Sequence, residues 1–163
     1  MDDLFAPPGE QWQPVSPALA RMRRVVVAAA AVVAVAALGV AAAVPVVPWW
    51  VWLPGLVLVL AAAAAGWVVV GRNARWWGYA ERDADLYVRH GALFRRLVVV
   101  PYGRMQYVDV QAGPLEQAFH VATVHLHTAS PGTSARIPGL PAREAARLRD
   151  RLTSLGESQA AGL

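Results

Sequence analysis

Apolar residues run from position 25 to position 71 without a single charged side chain, and arginines stand at both ends of the run. About 20 apolar residues in a helix are enough to cross a bilayer once, so the run is long enough for two crossings. Two prolines, Pro45 and Pro48, stand near its middle, where they would end a helix. The pattern predicts a helical hairpin with spans at about residues 25–44 and 52–70.

The residues that flank the two spans predict how the hairpin sits in the membrane. Arginine is concentrated before the first span and after the second, and the intervening loop has none, which favours cytoplasmic N and C termini. Tryptophans beside each span are typical of the headgroup region. The expected interface anchors are Trp49, Trp50, Trp52, Trp76, Trp77, Arg23, Arg24, Arg72 and Arg75.

A cleaved secretory signal is the alternative interpretation of the first span. Ala41 and Ala43 offer an A-x-A cleavage site, and Arg23 and Arg24 could close a basic n-region. The apolar stretch over residues 25–47 is nevertheless longer than such signals usually are, and a second span follows at once. We therefore expect the first span to stay in the protein.

The segments outside the hairpin predict four units along the chain. Residues 1–16 are rich in proline and have no hydrophobic period, so a flexible tail is expected there. Ser16 followed by Pro17 is typical of a helix start, and the hairpin unit is placed at residues 17–75. A soluble cytoplasmic domain over residues 76–155 and a loose tail over residues 156–163 complete the chain.

Apolar and polar residues alternate in short stretches after the second span, as in an antiparallel sheet. Strands are predicted near residues 77–82, 86–89, 93–100, 105–111, 121–128 and 134–137. Within the fifth, Ala122, Val124 and Leu126 should face inward, and Thr123, His125 and His127 outward. A helix from Pro141 to about Leu155 follows, with its apolar stripe at Ala145, Leu148, Leu152 and Leu155.

The soluble part contains five characteristic segments, at residues 87–91 (YVRHG), 99–110 (VVPYGRMQYVDV), 113–116 (GPLE), 124–129 (VHLHTA) and 137–140 (IPGL). Together they resemble the bacterial pleckstrin-homology (YdbS-like) membrane protein family. The resemblance implies an α+β membrane protein. Its transmembrane hairpin is followed by a PH-like split β-barrel, capped at one end by a C-terminal α-helix. It implies no catalytic residues.

The sequence departs from the family pattern after Phe119, where the family usually has glycine and this chain has His120. Glycine there would allow a positive φ at the start of the following strand. Two outcomes are open, because the turn could be reshaped or His120 could adopt the left-handed conformation at a small cost.

The chemistry that the sequence offers is limited. His125 and His127 share one face of a strand, a geometry known for metal pairs, but no further ligand is fixed by spacing, so solvated histidines are expected. The chain has no cysteine, and no nucleophile elbow, phosphate loop or carboxylate pair is recognisable. We expect no enzyme activity, no cofactor and no metal, and we identify no small-molecule substrate.

Arginines of the soluble domain form one candidate anion site. Arg95, Arg96 and Arg104 could make a shallow patch for an anionic headgroup. The turn at residues 81–85, which corresponds to the basic clamp of phosphoinositide-binding pleckstrin-homology domains, is acidic overall and would repel a polyphosphate.

The predicted function is that of a non-enzymatic protein of the bacterial cell membrane, multi-pass, with a cytoplasmic PH-like interaction or assembly module. The alternative is a membrane accessory that binds an anionic lipid headgroup or envelope precursor. The net charge of +4 is explained by the arginines beside the spans, so no nucleic-acid partner is expected. The expected partners are the lipid bilayer and another membrane protein or a second copy.

Overall fold

The computed structural model of the chain describes residues 11–43, 48–129 and 134–161. Two long helices dominate its first half: α1 spans Pro17–Ala42 and α2 spans Trp52–Arg75, preceded by a 3-10 turn at Trp49–Val51. Both are long and apolar enough to cross a membrane. The expected break at Pro45 and the side chain of Trp49 lie outside the described residues.

Helix α1 begins where the sequence predicts. Ser16 has extended backbone angles, and its side-chain oxygen accepts a hydrogen bond from the backbone N–H of Ala18 at 3.2 Å. This bond satisfies one of the free donors at a helix N-terminus. Helix α2 packs along α1, and Gly66 lies against Val27, where a Cβ would meet a Val27 methyl group at 3.4 Å, about van der Waals contact.

The strands form two antiparallel sheets. One contains β1 (Gln13–Pro14), β2 (Gly78–Glu81), β3 (Asp85–His90) and β4 (Arg96–Pro101) in that order. The other contains β5 (Met105–Gln111), β6 (Val121–Thr128) and β7 (Ala135–Pro141). A 3-10 turn, Tyr102–Arg104, joins the sheets, and a short helix, α3 (Pro114–Ala118), precedes β6. The protein thus has the predicted α+β architecture.

Helix α4 (Ala142–Ala161) closes the barrel with the predicted apolar stripe. Ala145, Leu148 and Leu152 are completely buried in the core, which they share with residues of both sheets. The helix extends beyond the predicted end at Leu155, so the described part of the expected loose tail is helical up to Ala161. Residues 162–163 lie outside the described residues.

The segment before the first helix differs from the expected tail. Residues 1–10 of that tail lie outside the described part of the chain, but Gln13 pairs with Tyr79 and Pro14 with Gly78, so β1 is an edge strand of the first sheet. Val15 is buried, and the backbone N–H of Ser16 donates to the Gly139 carbonyl oxygen at 3.0 Å. The helical hairpin is therefore inserted between two neighbouring strands of the barrel.

Two further differences from the predicted strands concern loops. The third predicted strand starts three residues late, because residues 91–95 form a tight loop before β4 begins at Arg96. His120 adopts φ 54°, which is the left-handed conformation left open above. In β6, which follows His120, Ala122, Val124 and Leu126 face inward as predicted. Thr123 was expected to face outward, but it is also buried, and its hydroxyl donates to Glu116 of α3 at 2.7 Å.

Candidate functional site

A basic cleft lies where the hairpin joins the barrel. It has a volume of about 240 Å³ and is formed by the residue before β2, the end of β3, the beginning of β4 and the segment that opens β7. Its polar lining consists of His90, Arg96, Ser134 and Arg136, and its apolar lining of Trp77, Val88, Val98 and Ala135.

Strand pairing brings the basic groups of the cleft together. His90 and Arg96 are directly opposed at the base of the loop that joins β3 to β4, and Arg136 comes from the second sheet. Burial, followed by the positive charges of Arg96 and Arg136, lowers the pKa of His90. The cleft therefore brings two guanidinium groups, one from β4 and one from β7, beside a histidine whose neutral form is favoured.

Trp77 forms the floor of this cleft. Its ring stacks on His90, with 4.8 Å between the ring centroids and an angle of 19° between the planes. Its side chain is only 6% exposed, and among the described residues its buried indole N–H has no hydrogen-bond partner. A buried donor of this kind costs free energy unless something accepts its bond.

Trp77 was expected to be an interface anchor, and that expectation is wrong. It follows Trp76 directly, but the chain passes there from helix to strand, so the side chain of Trp77 enters the barrel core. Trp76 stays partly exposed at the end of α2, with the Arg95 guanidinium 4.0 Å from its ring centroid. Arg72, Arg75 and Trp50 are exposed, Arg24 lies 5.1 Å from the Trp67 ring, and Trp52 is partly buried.

The predicted anionic patch of Arg95, Arg96 and Arg104 does not form one surface. Arg95 and Arg96 lie at the beginning of β4, whereas Arg104 lies in the turn that follows its other end. Sequence reasoning missed the part that His90 and Arg136 play in the cleft, and it placed Trp77 at the membrane interface. A cross-strand pairing of residues 90 and 96 could have suggested the first, but Arg136 comes from a separate sheet.

The two strand histidines have a different environment from the cleft. His127 and Tyr107 stack with 4.2 Å between ring centroids, and His125 lies 6.2 Å from His127. Both are partly buried on the outer face of β6. Within the described residues, no group of three or more His, Cys, Asp or Glu side chains could hold a metal ion.

A second concave surface lies between β5 and α4. Its volume is about 330 Å³, and the strand side and helix side contribute equally to its lining: Met105, Gln106, Tyr107, Val108, Leu152, Thr153, Gly156 and Glu157. Among the described strands β5 pairs only with β6, so its other edge is open to this groove. Tyr107 is 57% exposed at the rim.

The Bacterial PH domain family model matches residues 22–155. This chain belongs to the bacterial PH domain family. A curated relative from Bacillus subtilis (strain 168), the UPF0699 transmembrane protein YdbS, is 31% identical over 109 residues, covering 66% of this chain and 67% of that protein. No solved structure matches the chain.

These findings fit the architecture described above. The matched segment includes most of α1, all of α2, strands β2 to β7 and most of α4. A YdbS-like membrane protein with transmembrane helices and a PH domain is therefore the supported description of the chain. The bacterial PH domain family is not an enzyme family, and neither is the family of the named relative.

Proposed function

We propose that the PH domain is a non-enzymatic interaction and assembly module, held at the inner face of the bacterial membrane by the hairpin. The observation that carries this proposal is the open edge of β5 beside the groove with α4. An extended segment of a partner membrane protein can add to such an edge by backbone hydrogen bonds, while the groove receives its side chains.

The chemistry of the groove supports this use. Met105 and Val108 are partly exposed and provide apolar contacts, and exposed Tyr107 provides the kind of aromatic side chain that is enriched at interfaces. The register of β5 shifts between Met105 and Tyr107, so Gln106 lies outside the regular ladder to β6. Its exposed side chain is therefore a position where a probe can be placed with little effect on the sheet.

The arginines beside the helices support the inner-face location. They flank both membrane-entering ends of the hairpin, and the connection between the helices carries none, which is the positive-inside distribution. The pairing of β1 with β2 supports two crossings, because it holds both ends of the hairpin on one side of the bilayer.

Photo-crosslinking in native membranes tests the assembly role. A photoreactive residue at Gln106 of the full chain should give a discrete adduct, and the same residue at Asp83, in the exposed β2–β3 turn, should give none. An adduct of twice the mass of the chain would identify the partner as a second copy. The absence of any adduct at Gln106 would contradict the proposal.

Binding of an anionic headgroup or envelope precursor is the second candidate function, and the basic cleft favours it. Two guanidinium groups, the His90 imidazole and the buried Trp77 side chain, whose indole N–H has no partner among the described residues, line the cleft, and the charges of Arg96 and Arg136 act on His90. A phosphate oxygen could accept from the indole and from both guanidinium groups. The ligand class is a phosphate-bearing anion.

Glycerol 1-phosphate and inorganic phosphate are suitable probes for the purified full chain in nanodiscs of neutral lipid. Arg96→Gln and Arg136→Gln should each weaken binding, whereas Arg104→Gln, at the other end of β4, should not. Binding should strengthen as the pH falls from about 7 to about 5, because a bound anion favours protonated His90. Equal losses in all three variants would indicate non-specific attraction, and a preference for glycerol phosphate would favour a headgroup.

A further inference from the structure

Leu93 and Phe94 are the two most exposed large apolar side chains of the described residues. Leu93 is 88% exposed and Phe94 is 85% exposed. These fractions exceed that of the most exposed large apolar residue on the two long helices, Val40 at 74%. In the rest of the PH domain the large aliphatic side chains are mostly in the core, so this adjacent pair needs a separate explanation.

The local structure holds the pair outward. Both residues lie in the loop of residues 91–95 that connects β3 to β4, and its base is fixed by the pairing of His90 with Arg96. Gly91 has φ +91°, and a Cβ there would clash with the carbonyl oxygen of Phe94. The loop is therefore a tight turn with a defined shape, and its apolar tip has no apolar surface of its own domain to cover it.

The topology of the first sheet places this loop beside the hairpin. The strands follow one another as an antiparallel meander, so alternate connections lie at the same end of the strands. The β1–β2 connection is the hairpin itself, and the next connection at that end is the loop of residues 91–95. The acidic β2–β3 turn, which contains Asp83, lies at the opposite end of the strands.

A direct contact sets the level of the loop relative to the membrane. The Arg95 guanidinium lies 4.0 Å from the ring centroid of Trp76, the residue that caps the C-terminus of α2. Tryptophan at such a helix end is typical of the headgroup region. Phe94 and Leu93 are the next residues along the chain, each adding at most about 3.6 Å of reach, so they are within range of the same layer.

The chemistry of the loop fits lipid. An apolar pair followed by Arg95 and Arg96 combines a part that enters the acyl boundary with charges that meet phosphate groups. The pair protrudes and does not line a cavity. We propose that the loop of residues 91–95 inserts Leu93 and Phe94 into the leaflet next to the domain, as a third membrane contact besides α1 and α2. This contact is independent of the assembly role proposed above and of which face of the membrane carries the domain.

Three membrane contacts would fix the tilt of the domain. The two helices meet the barrel close together, since β1 pairs with β2, so the helices and the domain can tilt together about this one place of entry into the bilayer. A third contact on the β3–β4 loop limits that tilt. The β5–α4 groove would then be presented at one orientation to the membrane surface.

Fluorescence in nanodiscs tests the insertion directly. The chain has no cysteine, so single-cysteine variants of the full chain can be labelled at one site. Phe94→Cys and Leu93→Cys carry a polarity-sensitive dye, and Asp83→Cys, at the opposite end of the strands, is the matched control. Each of the two loop variants keeps the other apolar side chain in place, and circular dichroism checks that the labelled chains remain folded.

We expect blue-shifted emission for both loop labels, and quenching by nitroxide-labelled lipid several times stronger than at Asp83. Loop emission and quenching equal to those of the control would overturn the proposal, because the tip would then lie in water. Shielding from water without quenching by lipid nitroxide would also overturn it, since a protein or a second copy would then cover the loop.

Discussion

At the scale of single residues, three positions in the described part of the chain have a positive φ, and each has a different consequence for stability. Gly91 and Gly139 have φ values of +91° and +72°, and His120 has φ 54°. At Gly139 the space is also taken, because a Cβ there would lie 2.6 Å from the Cβ of Leu19 on α1. Gly139 is therefore the point where the hairpin helix packs directly against backbone of the second sheet.

Gly139→Ala should lower the free energy of unfolding of the full chain by at least about 2 kcal/mol, because the left-handed conformation and the crowding against Leu19 both act against a side chain. Gly113→Ala is the matched control, since Gly113 has φ −69° and an open neighbourhood. Thermal unfolding in detergent measures both. Equal stability of the two variants would show that Leu19 of α1 does not pack against Gly139 of β7.

His120 is the opposite case, a side chain in a conformation that suits glycine. His120→Gly should stabilise the protein by about 0.5–1 kcal/mol, because it removes the steric cost of the left-handed conformation and loses little packing at an exposed position. Chemical denaturation of the full chain measures the difference, and a loss of stability would mean that the His120 side chain has a contact of its own.

At the scale of elements, α4 completes the barrel in two ways. Its apolar stripe fills the core, and its first turns carry a polar network to β2. Arg147 bonds to Glu144 at 2.6 Å and to Glu81 at 2.5 Å, and the Tyr79 hydroxyl donates to Glu144 at 2.7 Å. Arg151 adds a second ion pair to Glu81 at 3.0 Å. The helix is thus attached through its exposed side as well as its buried one.

Leu148→Ala combined with Leu152→Ala should unfold the PH domain or leave it barely stable. Both side chains are completely buried, and each truncation costs about 2–5 kcal/mol, while a small domain has only about 5–15 kcal/mol in total. Loss of the near-ultraviolet circular dichroism signal reports the effect. Arg143→Ala, an exposed change on the same helix, is the control and should leave that signal intact.

Acid should weaken the attachment of α4 through Glu144. The hydrogen bond from Arg147 is the main cause that lowers the pKa of Glu144, with Tyr79 adding to it and burial opposing it. A carboxylate with a lowered pKa in the folded state stabilises the fold above its unfolded pKa of about 4.3, and this contribution is lost as the pH falls through the folded value.

The melting temperature of the wild-type chain should therefore fall more steeply below about pH 5 than that of Glu144→Gln. Glu157→Gln, an exposed change near the end of the same helix, is the control and should follow the wild-type curve. Parallel curves for wild type and Glu144→Gln would contradict the role of the carboxylate.

The elements also show what local pattern can and cannot predict. Alternation correctly predicts the inward face of β6, and the spacing of leucines correctly predicts the buried face of α4, because both depend on residues close in sequence. Strand β1 is too short to have a period, and it forms only because Tyr79 lies beside it in space. The cleft escapes prediction for the same reason, since Arg136 meets His90 through the packing of two sheets.

At the scale of the whole molecule, the hairpin is an insertion in the barrel. Its two ends are joined by the β1–β2 pair, by the Tyr79 hydroxyl bond to Gln13 at 2.6 Å and by the burial of Leu19 in the barrel core. The domain and the membrane helices are therefore packed together and are not joined by a flexible linker.

Cysteine accessibility in intact cells tests the proposed orientation of the molecule. With a membrane-impermeant maleimide, Trp50→Cys should react at once, whereas Asp83→Cys should react only after the cells are permeabilised, because Trp50 lies in the connection between the two helices and Asp83 lies in the domain beyond their other ends. The sequence carries no other cysteine to confuse the result. Reaction of Asp83→Cys in intact cells would contradict a cytoplasmic domain.

The insertion of the hairpin between β1 and β2 also constrains the order of biosynthesis. The ribosome synthesises β1 first, then both helices, and only afterwards β2, which pairs with β1. Tyr79, the partner of Gln13, is therefore made 66 residues after it. With both helices across the bilayer as proposed, the first sheet cannot close until both helices are in lipid and the chain has returned to the side that holds β1. A nascent chain that stops at the second helix would then keep β1 and the apolar side chain of Leu19 uncovered, open to the chaperones and proteases that act on unfolded chains.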